Sequence, residues 1–288
     1  MCGITIFVIS FYDAQFLQVC KKRNCYDRYP TCGLRCAEKL AKGGADPTLC
    51  DRPKLAGHNQ CGNQCKDAAK LACLLCKSRP KFKRYHLCGK TCKQLSAKQT
   101  PLILEAPEGH ATWEMVQKKF DSAWKYGTKP QIKKIYKIIE SRNFLMPYDK
   151  YKYKVGNEVF RYHGTSRKCT LGSNGNTMLC NDSTCALCCI LKTSFKTSLA
   201  NPHGAFGPGI YTSSAANKAH SYSNHGNGAL LLTKVVLGQV HSVTQFGEVS
   251  SCPAGKHSVV FDRNAGALNE TIIYSDDAIR PVFMIIFK

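Results

Sequence analysis

Val159-Phe160-Arg161-Tyr162-His163, followed at once by Gly164-Thr165, alternates closely enough to be read as a β-strand that ends where a backbone can approach a ligand without an intervening side chain. Working outward, Phe206-Gly207-Pro208-Gly209-Ile210-Tyr211 supplies a glycine-rich approach to a second strand, and Ala215 to Tyr222 predicts a short helical or irregular segment behind it. Leu230 to Val236, Val240 to Val243, Glu270 to Tyr274 and Val282 to Phe287 are all strand-like. So many β-rich runs late in the chain predict an α+β domain with a substantial antiparallel core.

Upstream, Trp113, Val116, Phe120 and Trp124 recur at helical intervals, so His110 to Trp124 reads as an amphipathic helix. Gly127 to Pro130 interrupts it, after which Ile132, Ile135, Tyr136 and Ile139 outline a second helix. Both apolar stripes are assigned to core packing against a sheet.

Residues 1 to 100 differ in kind. They hold 12 of the 18 cysteines and carry 19 Lys or Arg against 6 Asp or Glu, with few long apolar runs. Such a segment needs a metal or disulfides to hold it together. The formal net charge of +22 favours phosphate-rich partners, DNA or RNA among them, while remaining compatible with a solubility role. The apolar run Cys2 to Phe11 has no lysine or arginine before it and is too short to span a bilayer, so residues 1–19 read as an edge strand or a ragged start. The expected compartment is a reducing one, nucleus or cytoplasm, where clustered cysteines bind metal more often than they pair.

The cysteines of residues 20–100 repeat a Cys-Gly-x-x-Cys unit at Cys32/Cys36, Cys61/Cys65 and Cys88/Cys92, each leading into a stretch able to start a helix. Cys20 and Cys25 precede the first and Cys73 and Cys76 the third, while Cys50 and His58 precede the second at usable distances. Three tetrahedral zinc sites are expected, with ligand exchange between neighbouring modules, a redox Cys73/Cys76 pair and disulfides as the competing readings. A basic, aromatic insert from Lys77 to His86 separates the pairs of the third unit. It reads either as a surface for single-stranded nucleic acid or as a solvated loop covering a zinc knuckle.

Within residues 101–288, four residue types carry the chemistry. His163 sits at a strand end beside glycine, although a lone histidine is more often a satisfied structural residue. Tyr211 and Tyr222 are able to form two faces of a slot for a flat heteroaromatic ring, with backbone groups of Gly164 left for a carboxamide. Glu270, at the start of a strand, is the carboxylate placed to bond a ribose hydroxyl and stabilise positive charge developing at an anomeric carbon.

Tyr162-His163-Gly164-Thr165, Phe206-Gly207-x-Gly209-Ile210-Tyr211, Lys218-Ala219-x-x-Tyr222 and Asn269-Glu270-x-Ile272-x-Tyr274, in that order, resemble the catalytic domain of the poly(ADP-ribose) polymerase family over roughly residues 110 to 288. The resemblance implies a split, mostly antiparallel β core with flanking helices, preceded here by small zinc-stabilised modules. It also implies a His163-Tyr211-Glu270 catalytic triad and an NAD+ site formed by His163, Gly164, Thr165, Tyr211 and Tyr222. Ala219 stands where the family often has a serine that touches the carboxamide, which removes one hydrogen bond to NAD+. The implied activity is cleavage of the nicotinamide–ribose bond and transfer of ADP-ribose to a protein or nucleic acid acceptor. A catalytically weak NAD+- or ADP-ribose-binding zinc protein and an NAD+ glycohydrolase are the competing functions. A fourth cysteine group, Cys169, Cys180, Cys185 and Cys188 with Cys189 adjacent, interrupts this domain at residues 169–189, where structural zinc is expected between the histidine motif and Tyr211.

Overall fold

The computed structural model describes residues 63–77, 79–223 and 228–287. The apolar run at 2–11 and the expected metal ligands Cys20, Cys25, Cys32, Cys36, Cys50, His58 and Cys61 lie outside these residues. The chain divides into two compact units, residues 1–115 and 116–288.

In the first unit, helix α1 (Asn63–Lys70) contains Cys65, and helix α2 (Lys90–Ala97) starts directly after Gly89 of the third Cys-Gly-x-x-Cys unit. The connection between them folds back on itself. Ala72 bridges Pro80, the Cys73 N–H donates to the Arg79 carbonyl at 2.7 Å, and the Leu74 N–H donates to the His86 carbonyl at 3.0 Å. Leu74 and Leu75 are buried beneath this turn with Cys73 and Cys76. Strand β1 (Leu102–Ala106) follows and buries Ile103, Leu104 and Ala106. Helix α3 (Ala111–Ala123) carries the boundary between the units, with Trp113, Val116 and Phe120 buried on one stripe as the periodicity predicts.

The second unit holds the split β core. Its elements are β2 (Ile132–Ile139), α4 (Arg142–Val155), β3 (Glu158–Ser166), α5 (Ala186–Thr193), β4 (Ile210–Thr212), α6 (Ala216–His220), β5 (Gly228–Val236), β6 (Val240–Val243), β7 (Ser258–Phe261), β8 (Glu270–Ile273) and β9 (Ile279–Phe287). In the larger sheet the strands of this unit lie in the order β2-β9-β5-β3, every neighbour antiparallel. The smaller sheet has the order β4-β8-β7-β6 and is antiparallel except for the parallel pair β6 and β7. Phe206, Val243, Val259, Phe261 and Ile272 form the core of the smaller sheet.

Residues 132–139 correct the helix expected there. Ile132, Ile135, Tyr136 and Ile139 have helical spacing, yet the segment is strand β2, paired with Phe283 to Phe287 of β9. Four isoleucines in eight residues favour extended backbone. The four consecutive residues Ile135 to Ile138 are buried together, as befits a strand covered on both faces. The apparent helical period is that of a strand whose two faces are both apolar.

One short connection joins the two sheets and positions the site. The Tyr162 N–H donates to the Ser213 carbonyl at 2.7 Å, and the Ser213 N–H returns to the Tyr162 carbonyl at 2.9 Å. This bridge sets the end of β3 beside the end of β4, so the histidine and tyrosine motifs meet although 48 residues separate His163 from Tyr211.

Candidate active site and metal centres

Tyr162, Gly164, Tyr211, Thr212, Ser213, Lys218, Ala219, Tyr222 and Glu270 line one cleft at this junction. Three strands and one helix contribute: β3 supplies Gly164, β4 Tyr211, β8 Glu270, and α6 with the turn after it Lys218, Ala219 and Tyr222. Of the expected site residues, Gly164, Tyr211, Tyr222 and Glu270 therefore share the cleft. His163 and Thr165 alternate with Gly164 along β3 and are not among its lining residues; Thr165 is buried.

Gly164 is dictated by a close approach. A Cβ at this position would lie 1.9 Å from the Ala219 carbonyl oxygen, so α6 rests directly on the backbone of β3. Gly207 is required twice over, by a φ of +82° and by the Ser250 carbonyl 1.9 Å from where its Cβ would stand. The turn that Gly207 permits fixes Tyr211, whose hydroxyl accepts from the Phe206 N–H at 2.8 Å and donates to the Gly207 carbonyl at 3.1 Å. Burial raises the pKa of this phenol, with the nearby Glu270 charge acting in the same direction.

The His163 Nδ1 lies 2.9 Å from the Tyr211 carbonyl oxygen. A carbonyl only accepts, so Nδ1 carries the proton, and in the neutral ring Nε2 is left with an acceptor lone pair. Burial lowers the imidazole pKa, opposed by this bond, and so favours the neutral form. The Phe195 ring meets the imidazole edge-on, with centroids 5.0 Å apart and planes at 86°.

Glu270 is held from three sides of the chain. Its strand pairs through Thr271 with Thr212 and through Glu270 with Phe261. The preceding Asn269 accepts from the Ser213 hydroxyl through its carbonyl oxygen at 2.5 Å and from the Ser214 N–H through its side chain at 3.2 Å. Lys218 completes the setting: its ammonium lies 2.7 Å from the Glu270 carboxylate and 2.9 Å from the Tyr222 hydroxyl. Burial works against the Lys218 ammonium, but Glu270 and Tyr222 outweigh it and hold its pKa above the usual lysine range. In the sequence Lys218 belongs to the Lys218-Ala219-x-x-Tyr222 motif with no role of its own. The visible signal was its position four residues before Tyr222, one helical turn away on the same face.

Both described cysteine groups gather as ligand sets. The sulfurs of Cys73, Cys76, Cys88 and Cys92 all lie within 4.8 Å of one another, as do those of Cys169, Cys180, Cys185 and Cys188. Four thiolates about 2.3 Å from a tetrahedral ion stand about 3.8 Å apart. The observed separations are 3.7 Å for Cys76–Cys88, 3.5 Å for Cys88–Cys92, 3.6 Å for Cys169–Cys188 and 3.8 Å for Cys185–Cys169. A disulfide needs about 2.05 Å, so these thiols are spaced for an ion and not for pairing. The donor sets thus fit a closed four-sulfur centre. Cys189 stands apart, its sulfur directed to the Ser183 carbonyl at 3.3 Å.

No helix among the described residues is long and apolar enough to cross a membrane. A search of curated proteins gave no match. Residues 110–285 match the family model described as the poly(ADP-ribose) polymerase catalytic domain, well over half of the 288 residues. A mostly antiparallel two-sheet core, with its cleft at the junction of the sheets, accords with that match. The chain belongs to the poly(ADP-ribose) polymerase catalytic-domain family, whose members are ADP-ribosyltransferases that use NAD+ as substrate.

Proposed function

We propose that this chain transfers ADP-ribose from NAD+ to a protein or nucleic acid acceptor, with the cleft between β3, β4 and α6 taking the nicotinamide end. The observation that carries this reading is the Glu270 carboxylate, buried with its Lys218 counter-ion beside the rings of Tyr211 and Tyr222. The two tyrosines flank a flat ring, and Gly164 leaves backbone donor and acceptor free of side-chain bulk for a carboxamide. The Nε2 lone pair of His163 suits a ribose hydroxyl as donor, and Thr165 supports the same strand.

Departure of nicotinamide breaks the bond from ribose C1′ to the ring nitrogen, which takes the electron pair and leaves neutral. No general acid is needed, and positive charge passes to the ribose as an oxocarbenium-like centre. Glu270 orients a ribose hydroxyl, stabilises that charge and draws the proton from an attacking acceptor hydroxyl. Lys218 pairs with the carboxylate at 2.7 Å and fixes its direction.

Zinc is the ion we assign to both four-cysteine groups, where closed thiolate coordination leaves no open position for chemistry. The basic segment Lys77 to His86 supports recruitment of single-stranded nucleic acid. Phe82 and Tyr85 are exposed with their rings stacked at 6.2 Å, and the Lys83 ammonium lies 5.4 Å from the Phe82 ring.

Glu270→Gln tests the transferase reading. With labelled NAD+ and candidate acceptors, the variant is expected to lose label transfer by about a hundredfold or more while its circular dichroism is retained. A wild-type chain that neither transfers label nor releases nicotinamide rejects the function, and release of free ADP-ribose alone identifies a glycohydrolase.

A further inference from the structure

Residues 167–185, between the histidine strand and α5, form no helix or strand, so no backbone ladder sets their path. Other attachments do. The Tyr136 hydroxyl donates to the Gly172 carbonyl at 3.1 Å, and a Cβ at Gly172 would meet the Ile286 side chain at 2.8 Å. The sulfurs of Cys169, Cys180, Cys185 and Cys188 converge, with Cys185 at the start of α5 and Cys188 within its first turn. Helix α5 buries Leu187, Cys188 and Leu191 and packs against β3. Just beyond it, Asp276 accepts from the Thr197 N–H at 2.6 Å, from the Thr197 hydroxyl at 2.8 Å and from the Lys196 ammonium at 3.2 Å.

Phe195 lies between α5 and the Asp276 clamp, 3% exposed, and sets its ring edge-on against His163. The imidazole is therefore restrained twice, through Nδ1 by the Tyr211 carbonyl and across its ring by Phe195. One hydrogen bond leaves a ring free to rock about the donor axis, and a perpendicular neighbour in van der Waals contact removes that freedom.

We propose that the Cys169/Cys180/Cys185/Cys188 centre binds a zinc-like ion whose task is to position His163. The ion fixes the start of α5, α5 and Asp276 together fix Phe195, and Phe195 sets the orientation in which His163 presents Nε2. Phe195 is a positioning residue and not a catalytic one. The inference rests on the assignment of His163 to the ribose of NAD+, but its physical core, the coupling of the metal centre to the imidazole, is measurable without turnover.

The test uses the full chain with 13C-labelled histidine, the His163 resonance being identified by its loss in His163→Asn. Phe195→Ala and Cys188→Ser are each expected to broaden or shift that resonance, and Cys188→Ser also to lower bound zinc by one ion per chain. Phe195→Leu, which keeps apolar volume but loses the aromatic edge, should fall between wild type and Phe195→Ala. In turnover, Phe195→Ala should raise the KM for NAD+ roughly two- to tenfold with kcat little changed, the size set by one lost edge-to-face contact. Leu199→Ala, at an exposed position, is the control expected to change nothing. A His163 resonance insensitive to Phe195→Ala, a fall in KM, or unchanged zinc content in Cys188→Ser would each overturn the proposal. Should Cys188→Ser not fold, the wild-type His163 resonance followed through chelation and return of Zn2+ decides the matter, a resonance indifferent to the metal overturning the proposal. A wild-type chain without NAD+ turnover would defeat the transferase reading and leave the resonance measurement to judge this one.

Discussion

The Lys218 ammonium and the Glu270 carboxylate meet at 2.7 Å, both largely withdrawn from water, although 52 residues of chain separate them. The pair exists because α6 packs on β3 while β8 pairs with β4, so the two side chains enter one cleft from different elements. Removing one member of such a pair leaves a buried charge without its partner. Lys218→Met is expected to lower stability by about 3–5 kcal/mol, measured by denaturant unfolding. Lys218→Met/Glu270→Gln should lose less than the sum of the single losses, and strict additivity would show that the pair is not coupled.

Gly164→Ala should be damaging out of proportion to one methyl group. The added Cβ would stand 1.9 Å from the Ala219 carbonyl oxygen, a backbone atom that moves only if α6 moves. Displacing α6 shifts Lys218 and Tyr222 together, so kcat/KM for NAD+ should drop about a hundredfold, as steady-state kinetics would register. Near-normal kinetics in Gly164→Ala would disprove this packing.

Ala219→Ser points the other way. Ala219 is buried and lines the cleft, and a hydroxyl there would add one hydrogen bond to a carboxamide. A net gain of about 0.5–1.5 kcal/mol corresponds to roughly two- to tenfold tighter NAD+ binding, readable by calorimetric titration. Unchanged or weaker affinity would place the carboxamide elsewhere.

Glu158 contributes to the acid limb of stability. Burial pushes its pKa up, but the Lys234 ammonium at 2.6 Å, the Lys152 ammonium at 2.9 Å and the Tyr148 hydroxyl at 2.8 Å outweigh burial and hold it at about 2. A carboxylate depressed in the folded state contributes stability that is complete above its unfolded pKa of about 4.3 and is lost as pH falls through about 2. Thermal midpoints of wild type should therefore fall between about pH 4.5 and 2, and Glu158→Gln should flatten that limb. Parallel profiles for the two proteins would refute the assignment.

Chelation should open the first cysteine centre. Leu74 and Leu75 are buried beside Cys73 and Cys76, and an ion held by Cys73, Cys76, Cys88 and Cys92 would crosslink this turn. Tryptic cleavage between Lys77 and Arg84 is expected to accelerate under a strong zinc chelator and to slow again on adding Zn2+. Cleavage indifferent to metal would remove zinc from this turn.

Much of the candidate site was legible in sequence because its glycines and strand ends are local requirements. Gly164 and Gly207 announce places where a backbone comes close or turns left-handed, and both do so here. Residues 132–139 carry a misleading period, because Ile132, Ile135, Tyr136 and Ile139 have helical spacing in a strand buried on both faces, where alternation disappears. The four-residue strand β7 carried too little pattern to be noticed.

The amino-acid sequence alone determined the element types around His163, Tyr211 and Glu270, which depend on neighbours a few residues away, and the family and the two complete four-cysteine groups, which show in the order and spacing of residues along the chain. Tertiary structure decided which side chains share the cleft. Lys218 gained its partner, His163 its tautomer and Phe195 its ring contact only through pairings between distant strands, because hydrogen bonds and packing act over a few ångströms of space, whatever the length of chain between.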